Sequence, residues 1–284
     1  MSLESPASTK TIQAVFLDVD GTYADYGVVP AAHEQAVKDA RAAGHKVLIC
    51  TGRPLPMLPP SILGAGFDGV VASAGAYLDV GGEVLIDRRF CADLAARALA
   101  VLDAHNAVYI LEAQDAIYVC AAAEARLRAH IEAHFANAPA QLSKGSASIL
   151  DKLVPLADLS SVVFAKISVF SSPAPMTELV AQIGAGIDVV ENSIAAEGLH
   201  AGELFQAGIS KADGVAAAIA YLGITRENTI AFGDGHNDLE MLAFAGLGVA
   251  IEGSPTELLT IADATAPPPR KNGIATAFAL LGLN

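Results

Sequence analysis

The chain alternates short apolar segments with longer amphipathic ones, and this order restricts the folds that it can adopt. Apolar runs at residues 12–17, 46–50 and 69–72 are typical of buried strands, and Ala31–Ala43 is typical of a helix. Gly44 follows that helix, where a glycine can take the left-handed conformation that ends many helices. Strands that alternate with helices indicate parallel βαβ units with right-handed crossovers. We therefore predict an α/β fold built on a doubly wound, Rossmann-like parallel sheet.

The alternation is interrupted in the middle of the chain and then returns. The C-terminal part predicts a helix, a strand, a helix and a strand, at Ser210–Leu222, Thr229–Phe232, His236–Phe244 and Leu247–Ile251. Residues 87–187 instead predict helix, two strands, helix, strand and helix, an order typical of an α+β domain. We expect a core formed by residues 1–86 and 188–284, with an α+β cap domain inserted at 87–187.

Composition excludes several classes of function. Hydrophobic residues make up 53% of the 284 residues, but the longest apolar runs, Val215–Ile224 and Ile274–Leu283, are too short for a membrane span of roughly 20 residues. The first ten residues are polar and contain no apolar signal-peptide centre, so we expect a cytoplasmic protein without a membrane partner. A net charge of −14 opposes nucleic-acid binding, which depends on clustered cations. Composition does not predict an oligomeric state.

Polar clusters occur where the predicted strands end, which is where open parallel sheets bind ligands. There are four of them: Asp18-Val19-Asp20-Gly21-Thr22, Thr51-Gly52-Arg53, Ser210-Lys211, and Gly233-Asp234-Gly235-His236-Asn237-Asp238. Side chains alternate along a strand, so Asp18 and Asp20 are predicted to begin on one side. Two neighbouring carboxylates raise each other's pKa unless a cation neutralises them, so a cation is expected beside them.

Two kinds of cation fit this expectation. Asp18, Asp20, Asp234 and also Asp238 offer only oxygen ligands, which Mg²⁺ prefers in proteins. Lys211 lies in the first turn of a helix that a Ser210–Asp213 capping box is predicted to begin, where a cation opposes the helix dipole. Such a lysine is either a solvated surface residue or a group that balances the charge of nearby carboxylates and an anion.

These four clusters, in this order, resemble the four motifs of the haloacid dehalogenase superfamily. The resemblance rests on four segments: Phe-Leu-Asp-Val-Asp-Gly-Thr, Cys-Thr-Gly-Arg-Pro, Ile-Ser-Lys and Phe-Gly-Asp-Gly-His-Asn-Asp-Leu-Glu-Met-Leu. The resemblance is to the Cof-type sugar-phosphate phosphatases, which carry an α+β (C2-type) cap between the second and third motifs. It implies a Mg²⁺-dependent phosphatase that acts on a small phosphorylated metabolite.

The resemblance also implies roles for individual residues. Asp18 would be the nucleophile that forms an aspartyl-phosphate, and Asp20 the general acid and then the base. Asp18, Asp234 and the backbone carbonyl of Asp20 would hold Mg²⁺, while the phosphoryl group would contact the second-motif loop, the lysine and the fourth motif at Thr51, Gly52, Lys211 and Asn237. Thr22, Arg53 and Asp238 would support the site.

Several of these positions have a second interpretation. Thr51 is also a plausible helix N-cap, Arg53 is either a salt-bridge partner or a substrate contact, and Asp238 either reaches the metal or orients Lys211 and a backbone amide. Basic residues from which the cap could contact an anionic substrate are Arg88, Arg89, Lys144, Lys152 and Lys166.

Two functional alternatives remain at this point. A phosphosugar mutase shares the first motif and a similar cap, but returns the phosphoryl group to a sugar. A catalytically silent sugar-phosphate-binding module would need none of the reactive groups, yet all of them are present. A second aspartate at position 20 favours phosphatases and mutases over dehalogenases, because an alcohol leaving group needs a proton.

Overall fold

The computed structural model describes residues 11–25, 27–134, 147–192 and 198–284. Its strands are β1 Ala14–Leu17, β2 Lys46–Cys50, β3 Gly69–Ala72, β4 Tyr77–Val80, β5 Glu83–Asp87, β6 Val108–Glu112, β7 Ile117–Cys120, β8 Leu153–Leu156, β9 Lys166–Ser172, β10 Ile187–Asn192, β11 His200–Gln206, β12 Thr229–Gly233, β13 Leu247–Ile251 and β14 Ala264–Ala266. Its helices are α1 Ala31–Ala42, α2 Pro60–Leu63, α3 Ala92–Ala104, α4 Glu124–His134, α5 Ala147–Lys152, α6 Met176–Ile183, α7 Lys211–Leu222, α8 Leu239–Phe244, α9 Thr256–Ile261 and α10 Gly273–Leu280.

The first sheet is an eight-stranded, mainly parallel sheet in the order β14-β13-β12-β1-β2-β3-β4-β5. Only the β3–β4 and β4–β5 pairs at one edge are antiparallel. Alternate residues of its central strands face opposite layers of helices. Val15 and Leu17 belong to the core that contains α1 and α10, whereas Phe16 belongs to the core that contains α7 and α8. Helices on both faces explain why β1 is apolar at every position, and they confirm the predicted doubly wound α/β fold.

The second sheet is six-stranded, in the order β10-β11-β9-β6-β7-β8, and mainly antiparallel. One of its faces packs against α3 and α6 through a core that includes Leu111, Ile167 and Leu204. Its opposite face contributes Ile110 and Phe170 to a smaller core with α4. This mixed sheet and its helices lie between β5 and α7 along the chain.

The predicted C-terminal limit of the insert, residue 187, is wrong. β10 begins at Ile187 and pairs with β11 along its whole length, and β11 in turn pairs with β9 inside the second sheet. A boundary at 187 would separate these strands from the sheet that satisfies their backbone hydrogen bonds. We propose that the inserted domain comprises residues 88–206 and that the core comprises residues up to 87 and from 207 onward.

The predictions about membrane segments, about the first ten residues and about Lys144 are covered by the structure only in part. Among the described residues, none of the helices has the length and apolar character needed to cross a bilayer. The polar first ten residues and Lys144 lie outside the described residues.

Candidate active site

Asp18 and Asp20 follow β1, but their side chains have different surroundings. The Asp18 side chain is buried, whereas the Asp20 side chain is about half exposed, at 51%. The chain turns at Gly21, which has a φ of +86°, and a Cβ there would lie 2.1 Å from Asp234 Oδ2. Only a glycine permits this approach, so Gly21 brings the loop after β1 against Asp234 in the loop after β12.

Lys211 is the first residue of α7, and its side chain is completely buried against Asp18. Its Nζ donates hydrogen bonds to Asp18 Oδ1 at 2.6 Å and to Asp238 Oδ1 at 2.5 Å. The helix begins as predicted, because Ser210 donates from its backbone N and its Oγ to Asp213 Oδ2, at 2.8 and 2.9 Å. Burial lowers the pKa of Lys211, but the Asp18 and Asp238 carboxylates outweigh burial and raise it above its usual value. Lys211 is therefore an ammonium ion paired with two buried acids.

Asp238 uses both carboxylate oxygens within the protein. Oδ1 accepts the Lys211 hydrogen bond, and Oδ2 accepts the backbone N–H groups of Asp234 and Gly235, both at 3.0 Å. These contacts correspond to the second interpretation of this residue, in which it orients the lysine and the loop after β12. Asp238 also raises the pKa of Asp234, which is the next carboxylate in the cluster.

Asp234 and Asp18 both have raised pKa values. Burial, followed by the repulsion from Asp238, raises the pKa of Asp234 to about 6. Burial also raises the pKa of Asp18, although Lys211 opposes that shift. Thr22 Oγ1 donates to Asp234 Oδ1 at 3.0 Å and holds that carboxylate in place.

The donor set of this cluster fits Mg²⁺. One carboxylate oxygen from each of Asp18, Asp234 and Asp238 lies within 4.8 Å of the others. Because the oxygens of Asp238 already accept hydrogen bonds, Asp18 and Asp234 are the residues placed to hold an ion directly. An all-oxygen set with a few carboxylates is the ligand chemistry of Mg²⁺.

The loop after β2 faces the loop after β1. Thr51 Oγ1 accepts the backbone N–H of Arg53 at 3.1 Å, a local contact of the capping kind. Arg53 donates from Nε and Nη2 to both oxygens of Asp20 at 2.6 Å, and from Nη1 to Met57 O at 2.9 Å. Arg53 is thus a salt-bridge partner of Asp20, and it holds the exposed carboxylate beside the buried one.

A cavity of about 820 Å³ lies between these loops and the second sheet. The predicted residues that line it are Asp18, Asp20, Thr51, Gly52, Arg53, Asp234 and Asn237, while Thr22, Lys211 and Asp238 do not line it. The Asn237 side chain packs on Gly52, where a Cβ would lie 3.4 Å from its Nδ2.

The second sheet contributes residues that sequence reasoning missed or did not single out. Glu112, Lys166, Ser168 and Glu203 line the cavity together with the loops after β1, β2 and β12. Lys166 was one of five basic candidates, and the three others that are described, Arg88, Arg89 and Lys152, do not line the cavity. Each missed acid lies next to apolar strand residues: Glu112 ends the strand Val108–Glu112, and Glu203 precedes Leu204 and Phe205 in β11.

Residues 15–278 match the family model of the haloacid dehalogenase-like hydrolases. The chain belongs to this family. The match runs from the strand before Asp18 to the last helix, so it includes all four polar clusters and the insert. The predicted family and enzyme class are confirmed.

Relatives of this hydrolase agree in length and fold. A protein of Bacillus subtilis strain 168 named "Putative phosphatase YkrA" is 26% identical over 282 residues, which cover 95% of this chain and 97% of the relative. The solved structure of BT4131, a sugar phosphatase of subclass IIB of the superfamily, has a TM-score of 0.76 at 24% identity, with 96% of this chain and 100% of that chain covered. BT1666 of Bacteroides thetaiotaomicron, a phosphatase of the superfamily, gives 0.78 at 22% identity over the whole of both chains.

Proposed function

We propose that this hydrolase is a Mg²⁺-dependent phosphatase that cleaves small phosphomonoesters, among them sugar phosphates, through an aspartyl-phosphate on Asp18. The observation that carries the proposal is the Asp18 carboxylate itself. It lines the cavity, is buried, accepts a hydrogen bond from Lys211 and lies beside Asp234. A carboxylate that an ammonium group orients at the edge of a cavity is suitably placed to act as a nucleophile toward phosphorus.

The proposed reaction has two steps. An Asp18 oxygen attacks phosphorus, the bond from phosphorus to the ester oxygen breaks, and Asp20 gives its proton to the departing alcohol. Water then attacks the phosphorus of the aspartyl-phosphate and gives a proton to Asp20, so that inorganic phosphate leaves and the Asp18 carboxylate is restored. Thr51, Asn237 and the Lys211 ammonium would hold the phosphoryl oxygens during both steps.

Mg²⁺, held by Asp18 and Asp234, would supply positive charge beside the phosphoryl oxygens, which is the main need in phosphoryl transfer. Lys211 supplies charge to the same region from the protein side, since its Nζ contacts Asp18 directly.

Hydrolysis of p-nitrophenyl phosphate tests the proposal. We expect release of inorganic phosphate with no bisphosphate activator, loss of turnover with EDTA and recovery with Mg²⁺. Asp18→Asn should lower kcat by at least about a thousandfold while thermal unfolding stays cooperative. The matched control is Asp39→Asn, an exposed aspartate of α1 that does not line the cavity. Turnover without a metal, or near-normal turnover by Asp18→Asn, would disprove the proposal.

Asp20 has a more specific test, because its acid role depends on the leaving group. Asp20→Asn should slow an alkyl phosphate by about 10²–10⁴-fold, and slow p-nitrophenyl phosphate markedly less, since a nitrophenolate leaves without a proton. Equal losses on both substrates would remove the acid role from Asp20.

A further inference from the structure

The face of the second sheet that looks into the cavity carries a buried polar cluster, which we call the Lys166 cluster: Glu112, Lys166, Ser168 and Glu203. The strand register explains why these residues meet. Glu112 of β6 lies directly opposite Lys166 of β9, and Glu203 of β11 lies directly opposite Ser168 of β9. Because side chains alternate along a strand, Lys166 and Ser168 share one face, and it is the face that lines the cavity.

Lys166 is fully engaged within the protein. Its Nζ donates to Gly52 O at 2.8 Å and to Glu203 Oε2 at 3.0 Å, and lies 3.1 Å from Glu112 Oε2. Two of the three ammonium hydrogens are donated to Gly52 and Glu203, and the Glu112 carboxylate forms an ion pair beside the third, so an anionic ligand would have to compete with that ion pair. Gly52 follows Thr51, and the cluster is therefore fastened one residue away from the proposed phosphate-binding threonine.

The groups that remain available in the cluster are acceptors. Glu112 is 4% exposed, and its Oε2 receives no hydrogen bond of acceptable geometry although Lys166 is close. Its other oxygen accepts from Ser168 Oγ at 2.5 Å. The cluster contains two carboxyl groups and one ammonium group, so acidic groups outnumber basic ones and a further anion is disfavoured in this buried site.

On this geometry we infer that the Lys166 cluster is a specificity subsite that accepts hydrogen bonds from the hydroxyl groups of a neutral leaving alcohol and rejects leaving groups with a second anionic group. The inference rests on the proposed function, since the phosphoryl group must occupy the catalytic loops across the cavity. Met57, Ile110 and Phe170 also line the cavity, so the carbon skeleton has apolar surface to pack against.

A matched pair of substrates tests the subsite. D-glucitol 6-phosphate and 6-phospho-D-gluconate have the same six-carbon skeleton and the same phosphate position, and differ at the far end in a hydroxymethyl group against a carboxylate. We expect kcat/KM for the glucitol ester to exceed that for the gluconate ester by at least about tenfold. Phosphorylethanolamine carries an ammonium group instead of hydroxyl groups, and we expect its kcat/KM to be lower than that of the glucitol ester.

Variants of the two glutamates test whether the Lys166 cluster causes the preference for the glucitol ester over the gluconate ester. Glu112→Gln keeps the shape of the side chain but removes its charge, and it should lower the glucitol-to-gluconate ratio at least about fivefold. Glu203→Gln, at a less buried site, should act in the same direction and serves where Glu112→Gln does not fold. Glu178→Gln, an exposed glutamate on α6, is the matched control and should leave the ratio unchanged.

The outcomes separate this inference from the proposed function. Absence of Mg²⁺-dependent p-nitrophenyl phosphate hydrolysis by the unmodified enzyme would disprove the proposed function. Active enzyme with a ratio near one, a preference for phosphorylethanolamine, or a ratio that neither glutamine variant changes would overturn the subsite alone.

Discussion

Two buried lysines of this hydrolase have nearly the same surroundings and lie on opposite sides of one cavity. Lys211, in the core, is held between Asp18 and Asp238, and Lys166, in the insert, is held between Glu112 and Glu203. Both ammonium groups keep their charge, because the carboxylates outweigh the cost of burial and raise the pKa of each lysine.

The two clusters differ in the groups that lie next to each lysine and its two acids. Next to Lys211 lie the oxygens of Asp18 and Asp234, so this side can accept a metal ion and a phosphoryl group. Lys166 instead donates a hydrogen bond to the Gly52 carbonyl, and the cluster presents carboxylate acceptors to the cavity. In our proposals, the same pairing of a lysine with two acids would serve binding of an anion on one side and of hydroxyl groups on the other.

The largest expected effect is on the core side. Lys211→Met should lower kcat/KM for p-nitrophenyl phosphate by at least about a thousandfold, because it removes a positive charge beside the transferring group and frees Asp18 to move. Lys38→Met, at an exposed lysine of α1, is the control and should be indistinguishable from the unmodified enzyme. Near-normal turnover by a folded Lys211→Met protein would end the assignment of a catalytic role to this cluster.

The insert side should respond mainly in stability. Lys166→Met leaves Glu112 without its ion-pair partner in a buried site, which should lower the free energy of unfolding by about 3–5 kcal/mol in urea denaturation. The double variant Lys166→Met with Glu112→Gln removes the stranded charge and should recover a large part of that loss. If the two substitutions are simply additive, the pairing of these side chains does not stabilise the insert.

The sequence predicted that the residues around Lys211 lie close together, but it did not predict this for the residues around Lys166. Asp18, Lys211 and Asp234 could be predicted, because each comes at the end of a strand or the start of a helix, and parallel strands bring those ends together. Glu112, Lys166 and Glu203 lie in antiparallel strands that are separated by long stretches of chain. Their proximity depends on strand order and register, which the periodicity of a single strand does not contain.

The same limitation explains the domain boundary. The doubly wound core followed from the alternation of strands and helices, but nothing in residues 187–206 indicates which sheet β10 and β11 join. Asp20 shows a local limit of another kind. Period-two alternation placed it beside Asp18, yet the strand ends at Leu17 and the turn at Gly21 exposes Asp20 to Arg53.

A third buried base, His33, sharpens the comparison because its hydrogen bonds go to backbone groups instead of carboxylates. Nδ1 lies 2.9 Å from Tyr23 O, and Nε2 accepts the backbone N–H of Ile274 at 3.1 Å, which assigns a neutral ring with the hydrogen on Nδ1. Burial lowers its pKa, which is the opposite of the shift in the two lysines. Among these three buried bases, the two lysines that acids accompany have raised pKa values, and the histidine that backbone groups accompany has a lowered one.

This contrast predicts a pH dependence of stability. Below about pH 6.5 the unfolded chain binds a proton at His33 that the folded protein resists, so the histidine's contribution is complete above that pH and is lost as the pH falls through its lowered pKa. Asp234 acts in the opposite sense, because its pKa is raised to about 6 and its contribution is lost as the pH rises. The free energy of unfolding of the unmodified protein minus that of His33→Gln cancels Asp234 and should decrease between pH 7 and 5, by at most about 1.4 kcal/mol per pH unit. If this difference does not change between pH 7 and 5, then the folded protein does not lower the pKa of His33. The contrast between the pKa shift of His33 and those of Lys166 and Lys211 would then be wrong.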